Sequence, residues 1–593
     1  MKLKKLVAVI IIISIIVASA YYLLAYAKKP SFEDLLNSRS ERKLGSTTII
    51  VSNVPYFALI GTPVALYYDG EEKLLSPLVV EGEQSDNFLA IFSPESSFRL
   101  EGEAESASIA AAERFWKSSD GAIILQPQAY EIALTIAPLA SYLNIPVLVT
   151  ENVNNIVPTL KALNVKYTVV CGELSGYGKS WKLNSIQEAQ ELLLDFMYRR
   201  FGGFNYIVLT NPKDTHSEHG ISKISCLAPY LAAGRTGIVI ASSHERLPED
   251  AFVNFKEREE EIAAMANNIT VKIKVDLNNV LNKTKKFEKF FQSYLENPYI
   301  AILGCPYSIP FYYKYVDIGD DKKWIATDDY YANLDENEFT VELASGRPIA
   351  LSLSATSCLL SRSLCYDKYK ENYNEGAGAT TTNNLANTEW KSAGYVGSGD
   401  DWNGAIWMMR PEHARAHRYL LQNDYFVYTT KRRLSGETVA QDILKLYTSS
   451  SMIYVMAHGS PSGYNIVDSI EGEDVQEWGL LGPSVLILIS CSAGRIDVED
   501  IDKTISLSFM SVGTNAYIAG TRTEWTEGSP EISFYCLRSL VSEDAAVGIA
   551  FRDAKNYFVK EYVETGKLDY YHAGIKQLYA EPAFNPYTPN IEG

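Results

Sequence analysis

The chain has 593 residues, of which 47% are hydrophobic and 21% are charged, a composition typical of a globular protein with several domains. Its formal net charge of -18 at pH 7 argues against nucleic acid and anionic membrane surfaces as partners, because both require basic patches. The seven cysteines show neither CxxC spacing nor a metal-ligand pattern, so no metal site is predicted from them.

The N-terminal residues 1–29 are expected to lie outside the folded domains. Lys2, Lys4 and Lys5 precede residues 6–27, a run of 22 residues without a charge that is long enough to cross a bilayer. Two interpretations stay open, a cleaved signal peptide and a single-pass signal anchor, and the apolar run that continues past residue 20 favours the anchor. In both, the lysines keep the N-terminus inside, so the bulk of the chain is expected to be extracellular, attached to the cell membrane or secreted after cleavage.

Residues 46–100 are predicted to form a small β module, because short β-like runs at 47–51 and 63–68 are separated by turn signals. Asp69 and Gly70 are typical of a hairpin turn, since both residue types tolerate positive φ.

Residues 104–295 read as Rossmann-like α/β units, in which apolar strands alternate with helices and a strand, helix and strand pattern recurs from 206 to 241. The first copy resembles repeats assigned to prokaryotic cell-wall-binding domains, which would imply a cell-wall polymer as a partner. Two ordinary α/β units would show the same pattern.

A further unit is predicted at 299–371, where an apolar strand begins at Tyr299 and a later strand ends at Gly346 and Arg347. Asp328 and Asp329 lie in between and offer two carboxylates for a metal, although paired acids in a loop are more often solvated. Residues 372–390, rich in Gly, Thr and Asn, are predicted to be an exposed linker.

The last unit, 391–593, contains two apolar runs that each end in a reactive group. Residues 452–457 lead to His458 and Gly459, and residues 485–490 lead to Cys491. Both runs are predicted to be buried parallel strands, and the 27 residues between them suffice for one right-handed crossover. Because reactive groups lie beyond the carboxyl ends of parallel strands, a cysteine nucleophile and an imidazole base can face one crevice.

These two segments together resemble the catalytic segments of the gingipain family of cysteine peptidases, in the caspase-like clan, where one apolar strand ends in His-Gly and a later one in Ala-Cys or Ser-Cys. Residues 513–519 resemble the next strand of that family, and residues 578–583 resemble its closing Tyr-Gly-Asp-Pro-Ala motif with two departures. Residues 299–348 resemble the first, non-catalytic half of the same domain.

The resemblance implies an α/β fold, with a caspase/gingipain-like parallel-sheet sandwich in two halves, and a cysteine endopeptidase that acts on protein or peptide substrates. Cys491 would attack the peptide carbonyl, His458 would transfer the proton, and the N–H groups of Gly459 and Cys491 would hold the oxyanion. Other implied site residues are an acid that orients the imidazole, Asp400 or Asp401, and substrate-binding residues Thr523, Glu524, Trp525 and Glu412. No cofactor is required, and a structural Ca²⁺ is compatible with the fold.

Two other functions stay open on the sequence alone. The same fold could serve a non-catalytic cell-surface protein that binds cell-wall polymer, or a domain that cuts only its own chain. The presence of both His458 and Cys491 favours the peptidase, because a binding module has no need of that pair at two strand ends.

Overall fold

The computed structural model describes residues 30–216, 221–284, 297–318, 321–335, 337–375, 389–399, 411–429, 439–466, 469–525 and 527–592. The predicted membrane segment, residues 1–29, lies outside these ranges and stays a prediction. In the part that the structure describes, no helix is both long and apolar enough to cross a membrane.

The strands of the first unit are β1 (Ser40–Arg42), β2 (Thr48–Val51), β3 (Leu66–Asp69), β4 (Glu72–Leu75), β5 (Leu78–Val80), β6 (Ser97–Leu100) and β7 (Trp116–Ser119). Three of them form a parallel sheet in the order β5-β2-β6. The helices are Phe32–Leu36, Pro55–Ala65, Glu83–Phe92 and Ala104–Phe115.

The expected small β module at 46–100 is therefore an α/β unit, and that prediction is corrected. The apolar run before Leu66 continues a helix that is buried on nearly all sides, so it lacks the polar face by which a surface helix is recognised in a sequence. The hairpin prediction is confirmed, because β3 and β4 pair antiparallel and Gly70 has φ of +65° at the turn.

The second sheet has four parallel strands in the order β11-β10-β8-β9. They are β8 (Gly121–Leu125), β9 (Val147–Val149), β10 (Tyr167–Cys171) and β11 (Lys179–Leu183). The helices around this sheet are Tyr130–Ile136, Pro138–Leu143, Val153–Ala162 and Ile186–Phe201, preceded by a 3₁₀ turn at Pro127–Ala129. β8, β9 and β10 are buried throughout and mostly apolar, so these three strands could be predicted from the sequence, whereas the edge strand β11 is partly exposed and contains two lysines.

The third sheet joins strands from both sides of the predicted boundary at 295–299. Its order is β13-β12-β14-β17, all parallel, and the strands are β12 (Tyr206–Thr210), β13 (Ile238–Ala241), β14 (Tyr299–Leu303) and β17 (Ala344–Gly346). An antiparallel hairpin of β15 (Tyr312–Ile318) and β16 (Asp321–Thr327) lies between the last two strands in the chain. The helices are Ala228–Gly234, Phe255–Thr284, Asp329–Ala332, Leu353–Leu364 and Tyr366–Glu375, with 3₁₀ turns at Pro212–His216 and Ile224–Leu227.

The fourth sheet carries the two predicted reactive strands at its centre, in the order β19-β18-β20-β24-β25-β26. Its strands are β18 (Ala393–Ser398), β19 (Phe426–Thr429), β20 (Met452–Met456), β24 (Val485–Ile489), β25 (Ala516–Gly520) and β26 (Lys576–Ala580), and β26 alone among them runs antiparallel to its neighbour. A small sheet of β21 (His458–Gly459), β22 (Gly463–Asn465) and β23 (Ser469–Glu471) follows β20. The main helices are Pro411–Gln422, Val439–Thr448, Gly472–Glu477, Ile505–Val512, Ser529–Ser542, Val547–Phe558 and Tyr571–Gly574.

The third and fourth sheets meet along the β17 and β26 edges. Arg347, just after β17, donates its backbone N–H to the carbonyl of Leu578 at 3.0 Å. Gly346 is needed at this junction, because a Cβ there would lie 2.6 Å from the carbonyl oxygen of Ala580. The two halves of the C-terminal region therefore share a continuous packed joint.

Asp328 and Asp329 stabilise this joint and are neither solvated nor placed to share a metal. Asp328 accepts hydrogen bonds from the buried guanidinium of Arg347 at 2.5 and 3.0 Å. Asp329 accepts from the buried Lys555 ammonium at 2.6 and 2.7 Å, and Lys555 belongs to the fourth-sheet unit. Each acid is compensated by a cation that is distant in the sequence.

Candidate active site

β20 places His458 at the carboxyl edge of the fourth sheet. All five residues of β20 are buried, which fixes the strand between β18 and β24. The chain leaves the sheet after Ala457, whose N–H donates to the carbonyl of Ile489 at 3.0 Å. The following His458 has an exposed side chain. The imidazole is thus delivered to solvent at the end of a rigid strand.

β24 places Cys491 at the same edge. The strand is fully buried, Ser490 is buried beyond it, and Cys491 is half-buried. The chain turns sharply after the cysteine, with Ser492 in the left-handed region at φ +57° and its N–H bonded to the carbonyl of Arg522 at 2.8 Å. This turn ends the strand and holds the thiol at the carboxyl edge of the sheet.

The two reactive segments are in contact. β20 and β24 are neighbouring parallel strands with Met456 opposite Ile489, and His458 and Cys491 each follow two residues later. Gly459 packs so closely on Ser490 that a Cβ on this glycine would lie 2.1 Å from the Ser490 Oγ. The predicted convergence of His458, Gly459 and Cys491 at one edge is present in the structure, and their catalytic roles stay predictions.

The Cys491 thiol lies in a partly desolvated position. Burial raises its pKa, and the thiol donates a hydrogen bond to the carbonyl oxygen of Glu524 at 3.5 Å. A raised pKa disfavours the thiolate, so a nucleophilic role is helped by a base beside the thiol.

The three predicted substrate-binding residues after β25, Thr523, Glu524 and Trp525, differ in their placement. Trp525 is 42% exposed, and the Lys323 ammonium lies 5.8 Å from the centre of its ring. Thr523 is exposed, and its carbonyl accepts a hydrogen bond from the Tyr571 hydroxyl at 2.9 Å. Glu524 differs, because its side chain is 2% exposed and turns into the protein.

The Glu524 carboxylate forms an ion pair with Lys576 that sequence reasoning missed. The Lys576 Nζ lies 2.7 and 2.9 Å from the two carboxylate oxygens. Burial raises the pKa of Glu524, and the Lys576 ammonium opposes that shift. In this arrangement the carboxylate is buried, away from the surface where a substrate-binding side chain was expected. Lys576 is the first residue of β26, a strand that is buried throughout, and a charged residue in such a strand indicates a buried acidic partner.

The remaining predicted site residues are only partly covered by the structure. Asp400 and Asp401 lie outside the described residues. The chain does approach the site before them, since Ser398 pairs with Met456 and the N–H of Gly399 donates to the Met456 carbonyl at 2.9 Å. Glu412 belongs to the helix Pro411–Gln422, and its side chain is not among those described.

The cysteines and acids give no metal centre in the described parts of the chain. All seven cysteines are free thiols, and five of them are buried. No group of three or more His, Cys, Asp or Glu side chains is arranged to hold a metal ion among the residues that the structure describes. A structural Ca²⁺ stays a prediction.

Comparison with known proteins assigns the family. The model of peptidase family C25 matches residues 238–587, more than half of the 593-residue chain. The chain belongs to this family. It is the gingipain family named from the His-Gly and Cys motifs, and the chain is a cysteine-type endopeptidase, a hydrolase. No curated protein sequence matches this chain.

Several solved structures are similar to the chain at low sequence identity. A structure described only as a protease has 14% identity and a TM-score of 0.44, and covers 65% of this chain and 78% of its own. The Arg-specific cysteine proteinase gingipain R (RgpB) has 13% identity and a TM-score of 0.42, over 65% of this chain and 78% of that chain. The complex of the Porphyromonas gingivalis RgpB pro- and mature domains has 14% identity and a TM-score of 0.41, over 65% and 80%.

Proposed function

We propose that this C25 peptidase hydrolyses peptide bonds through a dyad of Cys491 and His458. The observation that supports the dyad is the contact between the two strand ends, where Gly459 packs on Ser490. Because His458 precedes Gly459 and Cys491 follows Ser490, this contact brings the backbones of His458 and Cys491 close together. Parallel strands that are paired over five residues leave their carboxyl ends at one edge, where substrate can enter.

In the proposed reaction, His458 removes the proton from the Cys491 sulfur as the sulfur attacks the scissile carbonyl carbon. The backbone N–H groups of Gly459 and Cys491 stabilise the negative oxygen of the tetrahedral intermediate. The intermediate collapses to a thioester when the C–N bond breaks, and the leaving amine takes the proton from the imidazolium. Water then hydrolyses the thioester, with His458 again as base, and regenerates the thiol.

The other predicted residues have supporting roles in this proposal. Asp400 or Asp401 would accept a hydrogen bond from the imidazole and stabilise its protonated form. Trp525 and Thr523 are exposed and flank Glu524, whose carbonyl accepts the thiol hydrogen bond, and they would contact the substrate side chain. Glu412 is proposed as a further substrate-binding residue.

We also propose that the enzyme works outside the cytoplasm, held at the cell membrane by residues 6–27. The support is the sequence pattern of three lysines followed by 22 uncharged residues. Expression in cells followed by protease treatment of intact cells tests this. Digestion of the C-terminal region without cell lysis is the expected result, and full protection would exclude the proposed orientation.

The dyad is tested by cleavage of a peptide library with the wild-type chain and with Cys491→Ala. Cys365→Ala is the matched control, because Cys365 is the other cysteine that is only partly buried. We expect turnover to vanish in Cys491→Ala and to persist in the control. Cleavage by Cys491→Ala at the wild-type rate would exclude the dyad, and a single cut in the enzyme's own chain without library turnover would indicate a self-processing domain.

A further inference from the structure

A buried ion pair lies directly behind the proposed nucleophile. The carboxylate of Glu524 and the ammonium of Lys576 are 2% and 0% exposed, and they are 2.7 Å apart at the shorter contact. Removing two charges from water is costly, and a hydrophobic pair of similar volume is often as stable. The pair therefore calls for an explanation other than stability alone.

Glu524 connects the ends of three strands around Cys491. Its carbonyl oxygen accepts the Cys491 thiol hydrogen bond, and its carboxylate binds the Lys576 ammonium and packs against Gly520. Cys491 follows β24, Gly520 ends β25, and Lys576 begins β26. Glu524 thus links the nucleophile to both neighbouring strands on that side of the sheet.

The carboxylate is also held tightly in place. A Cβ on Gly520 would lie 2.4 Å from the Glu524 Oε1, so the glycine leaves the space that the carboxylate occupies. Gly520 has no positive φ, so strain does not account for a glycine at this position.

We propose that the Glu524–Lys576 ion pair positions the Cys491 thiol and balances the charge beside it. This inference rests on the proposed role of Cys491 as the nucleophile. Glu524 and Lys576 act through Cys491 in this scheme and are positioning residues, since neither is exposed to substrate.

The two charges act on the thiol in opposite directions. Burial is the main cause of the raised pKa of Cys491, the negative charge of Glu524 raises it further, and the positive charge of Lys576 lowers it. The Tyr571 hydroxyl also interacts electrostatically with the thiol, and His458 follows the end of the neighbouring strand β20. The balance of the pair is therefore measurable as the pH at which Cys491 becomes reactive.

The experiment compares Glu524→Gln and Lys576→Met with the wild-type chain. Iodoacetamide labelling across pH, with the modified residue located by mass spectrometry, gives the midpoint pH at which Cys491 becomes reactive. Peptide cleavage gives kcat and KM. We expect the midpoint to move down in Glu524→Gln and up in Lys576→Met, each by on the order of one pH unit. We expect kcat to fall roughly 10- to 100-fold in both variants while KM changes less, because the nucleophile is misplaced.

A third variant keeps the test decisive if either substitution prevents folding. Gly520→Ala changes no charge but displaces the carboxylate, so kcat should fall while the midpoint moves less than in Glu524→Gln. The inference would be overturned if the Cys491 reactivity midpoints of Glu524→Gln and Lys576→Met moved in the same direction or did not move. A wild-type kcat in Gly520→Ala would also overturn it. Retained cleavage in Cys491→Ala would instead remove the proposed function on which the inference rests.

Discussion

The dependence of the reaction on His458 can be worked out from the burial of the thiol. Burial raises the pKa of Cys491, which lowers the fraction of molecules that carry a thiolate at neutral pH. His458→Ala removes the group that would take the proton during attack. The variant must then rely on that small ionised fraction, so we expect kcat/KM at pH 7 to fall by about 10²–10³.

The sign of the pH dependence follows from the same argument. The thiol ionises without help as pH rises towards its raised pKa, so the rate of His458→Ala should increase with pH, by about tenfold per pH unit while the thiol is mostly protonated. The wild-type rate should change less over that range. The deficit of the variant is therefore expected to shrink steadily with increasing pH.

The assay is kcat/KM for hydrolysis of a peptide p-nitrophenyl ester, whose leaving group departs without a proton. Because kcat/KM reports the steps up to acylation, it excludes the later hydrolysis of the thioester and measures activation of the thiol. His417→Ala is the matched control, because this histidine is half-buried on the helix Pro411–Gln422. It should keep the wild-type profile. A His458→Ala enzyme within about threefold of wild type at pH 7, or a deficit that is constant across pH, would refute the assignment of His458 as the base.

Three further predictions concern the joint between the halves and the surroundings of the nucleophile. Arg347→Met should lower the free energy of unfolding by about 3–5 kcal/mol in urea titrations, because it leaves the buried Asp328 carboxylate without its cation, whereas an unchanged stability would contradict this role. Trp525→Ala should raise KM for library peptides with a smaller change in kcat, since the exposed ring would contact substrate before reaction, and an unchanged KM would argue against it. Asp400→Asn or Asp401→Asn, whichever residue orients the imidazole, should lower kcat by roughly 10²-fold or more in steady-state assays, and wild-type kcat in both would exclude them.

The strands that carry the reactive groups were predictable because their sequence pattern is local. Residues 452–457 and 485–490 are uninterrupted apolar runs, which is the pattern of strands covered on both faces, and each run is followed by a polar group. The helix Pro55–Ala65 was not predictable for the same physical reason, since a helix buried on nearly all sides has an equally uninterrupted apolar pattern.

The assignment of acids to solvent or to a substrate pocket failed where distant cations were involved. Asp328 and Asp329 looked like a solvated pair, yet each meets a buried cation, Arg347 or Lys555. Glu524 was predicted to bind substrate beside Trp525, yet its carboxylate is buried against Lys576. Each cation lies at least 19 residues from its acid in the chain, so the local sequence around the acid does not predict the pairing.

The α/β class, the family resemblance and the two strand ends that present His458 and Cys491 could be predicted from local sequence, because a buried strand is a short apolar run and each of these runs is followed by a polar residue. How these ends are supported depends on contacts between distant segments. Strand order brings β24, β25 and β26 side by side, and only this arrangement places the Lys576 ammonium on the Glu524 carboxylate behind the thiol. A charge buried in the fold is stable only with a partner, and the partner is chosen by packing between segments that are far apart in the chain.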